Sequence, residues 1–148
     1  MIRAAKAADI PAIITLFASD EKGGHGDSLD IADFHHYVKA FEAITLDENS
    51  RLFVAEFNGH VVGTAQVTLV IGMSGKGARR GRISGVEVRE DLRSKGIGKQ
   101  LIEACLAFIK KEGVRHAFLA SNKNRPRAHS FYKRLGFSQS IETSAAGI

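Results

Sequence analysis

Apolar positions keep a helical period in some stretches of the chain and a strand period in others. Ile10, Ile13, Ile14 and Phe17 recur at helical spacing behind Asp9, a helix-capping residue type, and Pro11, which fits a first helical turn. A second helix is expected over 29–44, with Ile31, Phe34, Tyr37, Val38 and Phe41 as its apolar members. Residues 21–28 hold three glycines and no large apolar side chain, so they read as a loop. The period then shortens. Residues 51–57 and 61–71 are rich in strand formers, and Asn58-Gly59 between them is a hairpin signal, because both residues tolerate positive φ. Residues 82–89 give another strand, on Ile83, Val86 and Val88. Ile97, Leu101, Ile102, Cys105, Leu106, Phe108 and Ile109 then form one broad helical stripe, which Gly113 should end. Residues 114–120 are expected as a strand, 127–135 as a short helix closed by Gly136, and 137–141 as a last strand. With an edge strand at 2–4, the order is β-α-α-β-β-β-α-β-α-β, a mixed α/β (α+β) arrangement.

The chain of 148 residues fits one domain, 1–148, with no repeat or linker to divide it. Its 44% hydrophobic and 25% charged residues exclude disorder of the whole chain. Cys105 is the single cysteine, which excludes an intramolecular disulfide and a thiolate zinc cluster, so no metal is expected. The opening MIRAAKAADIP lacks the apolar block of a signal peptide. The longest run free of Lys, Arg, Asp and Glu, residues 57–75, is broken by Asn58, Gly59, His60 and Gln66 and does not predict a membrane span. A cytoplasmic protein without a membrane partner is the expectation. The net charge of +5 favours an anionic partner, and Lys76, Arg79, Arg80, Arg82, Arg89, Arg93, Lys95 and Lys99 crowd into one stretch. That stretch has no recognition-helix pattern and no interleaved aromatics, so nucleic acid is not the expected partner.

The chemistry concentrates in residues 88–98, a strand end, a loop and a helix start. Gly96 and Gly98 let backbone N–H groups point inward together, the helix adds the positive end of its dipole, and Arg93 and Lys95 add charge. Such an element suits a phosphate or pyrophosphate. Two other nucleotide motifs are missing: the GxxxxGK(S/T) loop and the GxGxxG spacing.

Arg93-Ser94-Lys95-Gly96-Ile97-Gly98 resembles the pyrophosphate signature of the GNAT family of N-acetyltransferases: Arg or Gln, any two residues, Gly, any residue, Gly or Ala. A second segment is more specific. Residues 128–137, AHSFYKRLGF, are similar to the family pattern AxxFYxxxGF, one helix and one strand further on. The opening residues 2–13 and the hairpin at 54–63 also resemble the family's first helix and first hairpin, so the likeness covers nearly the whole chain.

The resemblance implies a mostly antiparallel central sheet of six to seven strands with about four helices, splayed between its two central strands. It implies acetyl transfer from acetyl-CoA, as co-substrate, to a primary amine on a small molecule or peptide, with both bound together. The pyrophosphate would be held by amides of Arg93, Ser94, Lys95, Gly96, Ile97, Gly98 and Lys99. The pantetheine arm would bond to the main chain of Val86 and Val88, with Asn124 and Arg125 adding coenzyme contacts. Tyr132 occupies the position of the acid that protonates the departing thiolate. A homodimer is compatible with this fold.

The general base is less clear-cut. Where many relatives carry I-E-x-V-x-V, this chain reads Ile83-Ser84-Gly85-Val86-Glu87-Val88, so the usual glutamate position holds Ser84. Plain alternation turns Glu87 to the opposite face, as an ordinary solvated or ion-paired strand residue, unless a bulge re-aims it. Glu87, a histidine such as His25 or His36, and a water relay all stay open. Cys105 is expected as core. Lys76, Arg79, Arg80 and Arg82 are expected as a solvated basic loop, or as contacts for the coenzyme 3′-phosphate or an acidic substrate. The missing glutamate also leaves room for an acyl-CoA-binding module without turnover.

Overall fold

The computed structural model describes residues 1–19, 26–119, 126–134 and 136. Strand β1 (Ile2–Ala4) is followed by helices α1 (Ile10–Ala18) and α2 (Phe34–Leu46). Strands β2 (Ser50–Phe57), β3 (His60–Val70) and β4 (Arg80–Val88) come next. Helix α3 (Ile97–Lys111), strand β5 (Ala117–Leu119) and helix α4 (Pro126–Arg134) complete the described elements. The sheet order is β1-β2-β3-β4-β5. All neighbours are antiparallel except β4 and β5, which run parallel. The mixed α/β order is as expected. The described sheet has five strands, not six to seven; the strand expected at 137–141 lies outside the described residues.

Side-chain alternation gives the sheet two packed faces. Ala65, Val67 and Leu69 of β3 and Ile83 of β4 join Leu101, Ile102, Cys105 and Ile109 of α3 in one buried cluster. The other face carries α1, which packs on β3 and β4, and α2, which packs on β2. Helix α3 lies close to the sheet because glycines stand beneath it. A Cβ on Gly81 would overlap the Ile109 side chain, and one on Gly63 would meet Leu101 Cδ1 at 3.0 Å. Its far end stops at Gly113 as expected, and Arg79 Nη2 donates to the Glu112 carbonyl there at 3.0 Å.

Three local expectations change. Helix α2 starts at Phe34, because Asp30 accepts from the Ala32 amide at 3.1 Å and holds residues 31–33 in a tighter single turn. None of its residues is fully buried, and Ile31 before it is exposed. Strand β5 begins at Ala117, not at Val114, which instead follows the α3 terminus. Asp9 precedes α1, but its side chain does not cap that helix. It accepts from the Lys6 amide at 2.7 Å and from Arg3 Nη1 and Nη2, at 2.8 and 3.0 Å. Arg3 also reaches Glu56 on β2 at 3.4 Å, so one arginine ties β1 to α1 and the hairpin.

The Arg3 hydrogen bonds hold the Asp9 carboxyl below its ordinary value of 3.8, helped by the Lys6 amide against the cost of burial. A depressed carboxylate stabilises the fold fully above its unfolded value, and that contribution is lost as pH falls through the folded one. Asp9→Asn is expected to cost about 1.5–3 kcal/mol at neutral pH in urea unfolding. The gap between variant and native protein should narrow below about pH 3.8.

Candidate functional site

Two backbone irregularities build the candidate site. The first is in β4. Thr64 pairs with Glu87 and Gln66 with Ser84, so Ala65 alone faces both Gly85 and Val86. Gly85 has a φ of 61°, a conformation that favours glycine. This bulge resets the alternation: Ser84 and Glu87 lie on the same face although three residues apart. Glu87 therefore faces the α1 side, beside Thr64, and is only 7% exposed. The solvated, opposite-face reading from simple alternation is corrected; Gly85 inside a strand pattern was the available signal. Phe17 of α1 lies over the bulge, its Cζ 3.5 Å from where a Gly85 Cβ would stand. Val86 and Val88 pack against the cluster on the α3 side.

The second irregularity is the loop. Residues 90–92 make a single tight turn, and Arg93 Nε donates to the Val88 carbonyl at 3.1 Å, folding the loop back on the strand end. Ser94 has a φ of 65° and Gly96 a φ of 87°, directly before α3. The first helical bond runs from the Gln100 amide to the Gly96 carbonyl. The amides of Ile97, Gly98 and Lys99 thus head α3 without an earlier helical turn to accept from them, and glycine at the cap supplies no side-chain acceptor. Among the described residues, nothing lies within 4 Å of where a Gly96 Cβ would project. An open cradle of backbone donors at the end of a 15-residue helix fits a diphosphate. Lys95 adds charge at its rim, and Lys99 pairs loosely with Glu103 at 3.9 Å. Gly98 makes room for Phe131 of α4: a Cβ there would sit 3.2 Å from the ring.

Tyr132, beside Phe131, is buried in the α3-side cluster. Tyr132 and Glu87 therefore stand on opposite faces of β4. The parallel pairing of β4 with β5 covers only Gly81–Ile83, so Ser84–Val88 have no β5 partner among the described residues. His36 is exposed on α2, its ring tilted against that of His35 with 3.9 Å between ring centroids. Tyr37 donates to Asp27 at 2.8 Å and accepts from the Ser28 amide at 3.2 Å, pinning the end of the first loop. Burial, more than its bond to Asp27, raises its phenol above the usual value. His25, Asn124 and Arg125 lie outside the described residues.

The basic run does not form one patch. Arg79, Arg80 and Arg82 stand at the start of β4, and Arg89, Arg93, Lys95 and Lys99 beyond its other end. Arg89 is engaged with Asp91, Nε to Oδ1 at 2.7 Å. Among the described residues, no cluster of three or more His, Cys, Asp or Glu could hold a metal, and no helix is long and apolar enough to cross a membrane.

Comparison with known proteins bears on this geometry. The sequence model of the acetyltransferase (GNAT) family matches residues 10–137. An uncharacterized N-acetyltransferase of Chlorobaculum tepidum is 29% identical over 87 residues, covering 59% of this chain and 49% of that protein. The chain thus spans about half the length of that curated relative. A transcriptional regulator of Bacillus halodurans superposes with a TM-score of 0.93 at 32% identity, over 100% of this chain and 99% of its own. A predicted acetyltransferase of Clostridium acetobutylicum, solved with acetyl-CoA, shares the fold with a TM-score of 0.77 at 18% identity, over 99% and 95% of the two chains.

Cys105 is fully buried on α3, and burial pushes its thiol up to about 12. The native protein is expected to resist an aromatic disulfide reagent at pH 8 and to release one equivalent of thiol once unfolded in guanidinium. Rapid reaction of the folded protein would contradict this burial.

Proposed function

The chain belongs to the acetyltransferase (GNAT) family, and on that premise we propose that it transfers the acetyl group of acetyl-CoA to a primary amine by direct attack, with both molecules bound together. The observation that carries the reading is the bulge at Gly85 and Val86. It puts a buried carboxylate on the α1 side while Val88 and the donor cradle stay with α3.

The amides from Arg93 to Lys99 hold the pyrophosphate, with Asn124 and Arg125 as further coenzyme contacts. The main chain of Val86 and Val88 receives the pantetheine arm. Acetyl-CoA supplies an activated acyl carbon and a thiolate leaving group. An alkylamine has a pKa of about 10.4 and is mostly protonated at neutral pH, so attack needs a proton acceptor. Glu87 accepts it, directly or through a water, from the α1 side. The Val86 amide polarises the thioester carbonyl in the manner of an oxyanion hole. As the N–C bond forms and the C–S bond breaks, Tyr132 delivers a proton to sulfur from the α3 side. Acid and base on opposite faces of one strand let one group take the proton of the amine as it adds to the carbonyl carbon while the other meets the sulfur as the tetrahedral intermediate collapses.

A second reading is an acyl-CoA-binding regulatory module without turnover. Ser84 at the family's glutamate position supports it, as does the Bacillus halodurans relative named as a transcriptional regulator. The bulge weakens its first support, because it brings a different glutamate to the face of Ser84.

Calorimetric titration of the native protein with acetyl-CoA should show binding, and Gly96→Glu should weaken it at least a hundredfold by filling and repelling the cradle. In a thiol-release assay over a panel of amines, Glu87→Gln should lower kcat by about a hundredfold or more, with acetyl-CoA affinity within twofold of native. Tyr132→Phe should lower kcat about tenfold and also leave acetyl-CoA affinity in place. Tight acetyl-CoA binding with no thiol release from any amine would select the regulatory module; no affinity for acetyl-CoA would refute both readings.

A further inference from the structure

We infer that the acceptor amine carries an anionic group, a phosphate or carboxylate, which Arg82 binds with help from Arg80 on the sheet face that presents Glu87. The inference rests on the transfer reading above and deepens it by naming the substrate class. Register places these side chains. Gly81 faces α3, where its missing Cβ makes room for Ile109, so Arg80 and Arg82 on either side face away from α3. Arg82 pairs with Thr68, Ser84 with Gln66, and Glu87 with Thr64. The bulge keeps all of them on one face, so a row of Arg80, Arg82, Ser84 and Glu87 runs along β4.

Arg80 and Arg82 are exposed, and neither makes an ion pair or a side-chain hydrogen bond among the described residues. Asp47 approaches this face through Ser50, which it binds at 2.7 Å and which contacts Thr68 at 3.0 Å. Its carboxylate also accepts from the Asn49 amide at 2.9 Å and does not reach Arg82. Phe118 of β5, 42% exposed, stands beside Arg82. Arg82 also sits one step before the β4–β5 pairing ends at Ile83. It therefore flanks the place where the two strands stop bonding, on the side from which an amine would approach Glu87.

The coenzyme phosphates do not account for these arginines. The α3 cradle is at the opposite end of β4 and across the sheet, and Arg93 and Lys95 already serve it. The positions opposite Arg82 and Glu87 on β3, Thr68 and Thr64, are four residues apart, about 13 Å at roughly 3.3 Å per residue. An arginine side chain and a six-carbon spacer close that span between them. An amine with an anion at this remove would place its nitrogen at Glu87 and its charge at Arg82. A polyamine would meet like charge there.

Four acceptors with a common six-carbon spacer test this: 6-aminohexyl phosphate, 7-aminoheptanoate as the carboxylate arm, 6-aminohexan-1-ol and 1,6-diaminohexane. Thiol release should give kcat/KM at least tenfold higher for the anionic amines than for the alcohol, and lowest for the diamine. The preference should shrink as ionic strength rises. Arg82→Ala should raise the KM for 6-aminohexyl phosphate at least tenfold and leave its kcat within about twofold, with acetyl-CoA affinity unchanged. Arg82→Lys should recover part of the loss. Turnover without an anionic preference, or a preference that survives Arg82→Ala and Arg80→Ala together, overturns the inference and leaves the transfer reading intact. Titration of 6-aminohexyl phosphate into the protein with coenzyme A separates the opposite case. Binding that depends on Arg82 without any turnover keeps the anion site and sinks the transfer reading. No binding and no turnover sinks both.

Discussion

The close seating of α3 on β3 and β4 sets the position of the backbone donors that head the helix. Gly63 and Gly81 omit the side chains that would hold the helix off, and Leu101, Ile102, Cys105 and Ile109 fill the space so made. The leucine and the two isoleucines each contribute about 1.5–3 kcal/mol of burial, so the helix is held by its whole length and not by its ends. Its first turn then has one possible location, against the end of β4, where Arg93 ties the intervening loop to Val88. A cluster of amides aimed at one point is only useful if that point is fixed, and the packing of α3 fixes it.

The bulge makes the opposite kind of contribution. It breaks regularity in β4 by one residue, and the local cost is contained because Gly85 adopts its conformation without Cβ strain. The gain is positional. One strand now presents Val86 and Val88 to the α3 side and Glu87 to the α1 side, with main-chain groups between them. Without the extra residue, Glu87 would enter the α3 cluster as a charge among apolar groups, at a large desolvation cost. The fold thus accommodates a buried carboxylate on one face and an apolar pair on the other by the same device.

Charge is distributed by the fold in a way that its position along the chain conceals. The eight basic residues of 76–99 separate to the two ends of β4 and take different tasks. Arg79 caps α3, Arg89 engages Asp91, and Arg93 braces the loop. Among the described residues, Lys76, Arg80, Arg82 and Lys95 of the run make no ion pair or side-chain hydrogen bond within the chain.

Much of the architecture was legible beforehand. Periodicity located α1, α2 and α3 and the strands β2, β3 and β4, because each needs an apolar stripe or an alternating face whatever its neighbours do; the expectation of β1, β5 and α4 did not rest on it. Asn58-Gly59 fixed its hairpin, and the glycines at 96 and 98 marked the cradle, because local backbone sterics decide both. Tertiary structure alone decided the rest. The start of α2 moved to Phe34 through the Asp30 cap, and the Asp9 carboxylate turned from α1 to Arg3, because competing polar partners arrive from elsewhere in the fold. The face of Glu87 depended on a register between two strands, and a shift of one residue there exchanges core for solvent side without leaving a trace in hydrophobic pattern. Local propensity therefore determined which elements exist, while pairing between distant segments determined which way the polar side chains of β4 point.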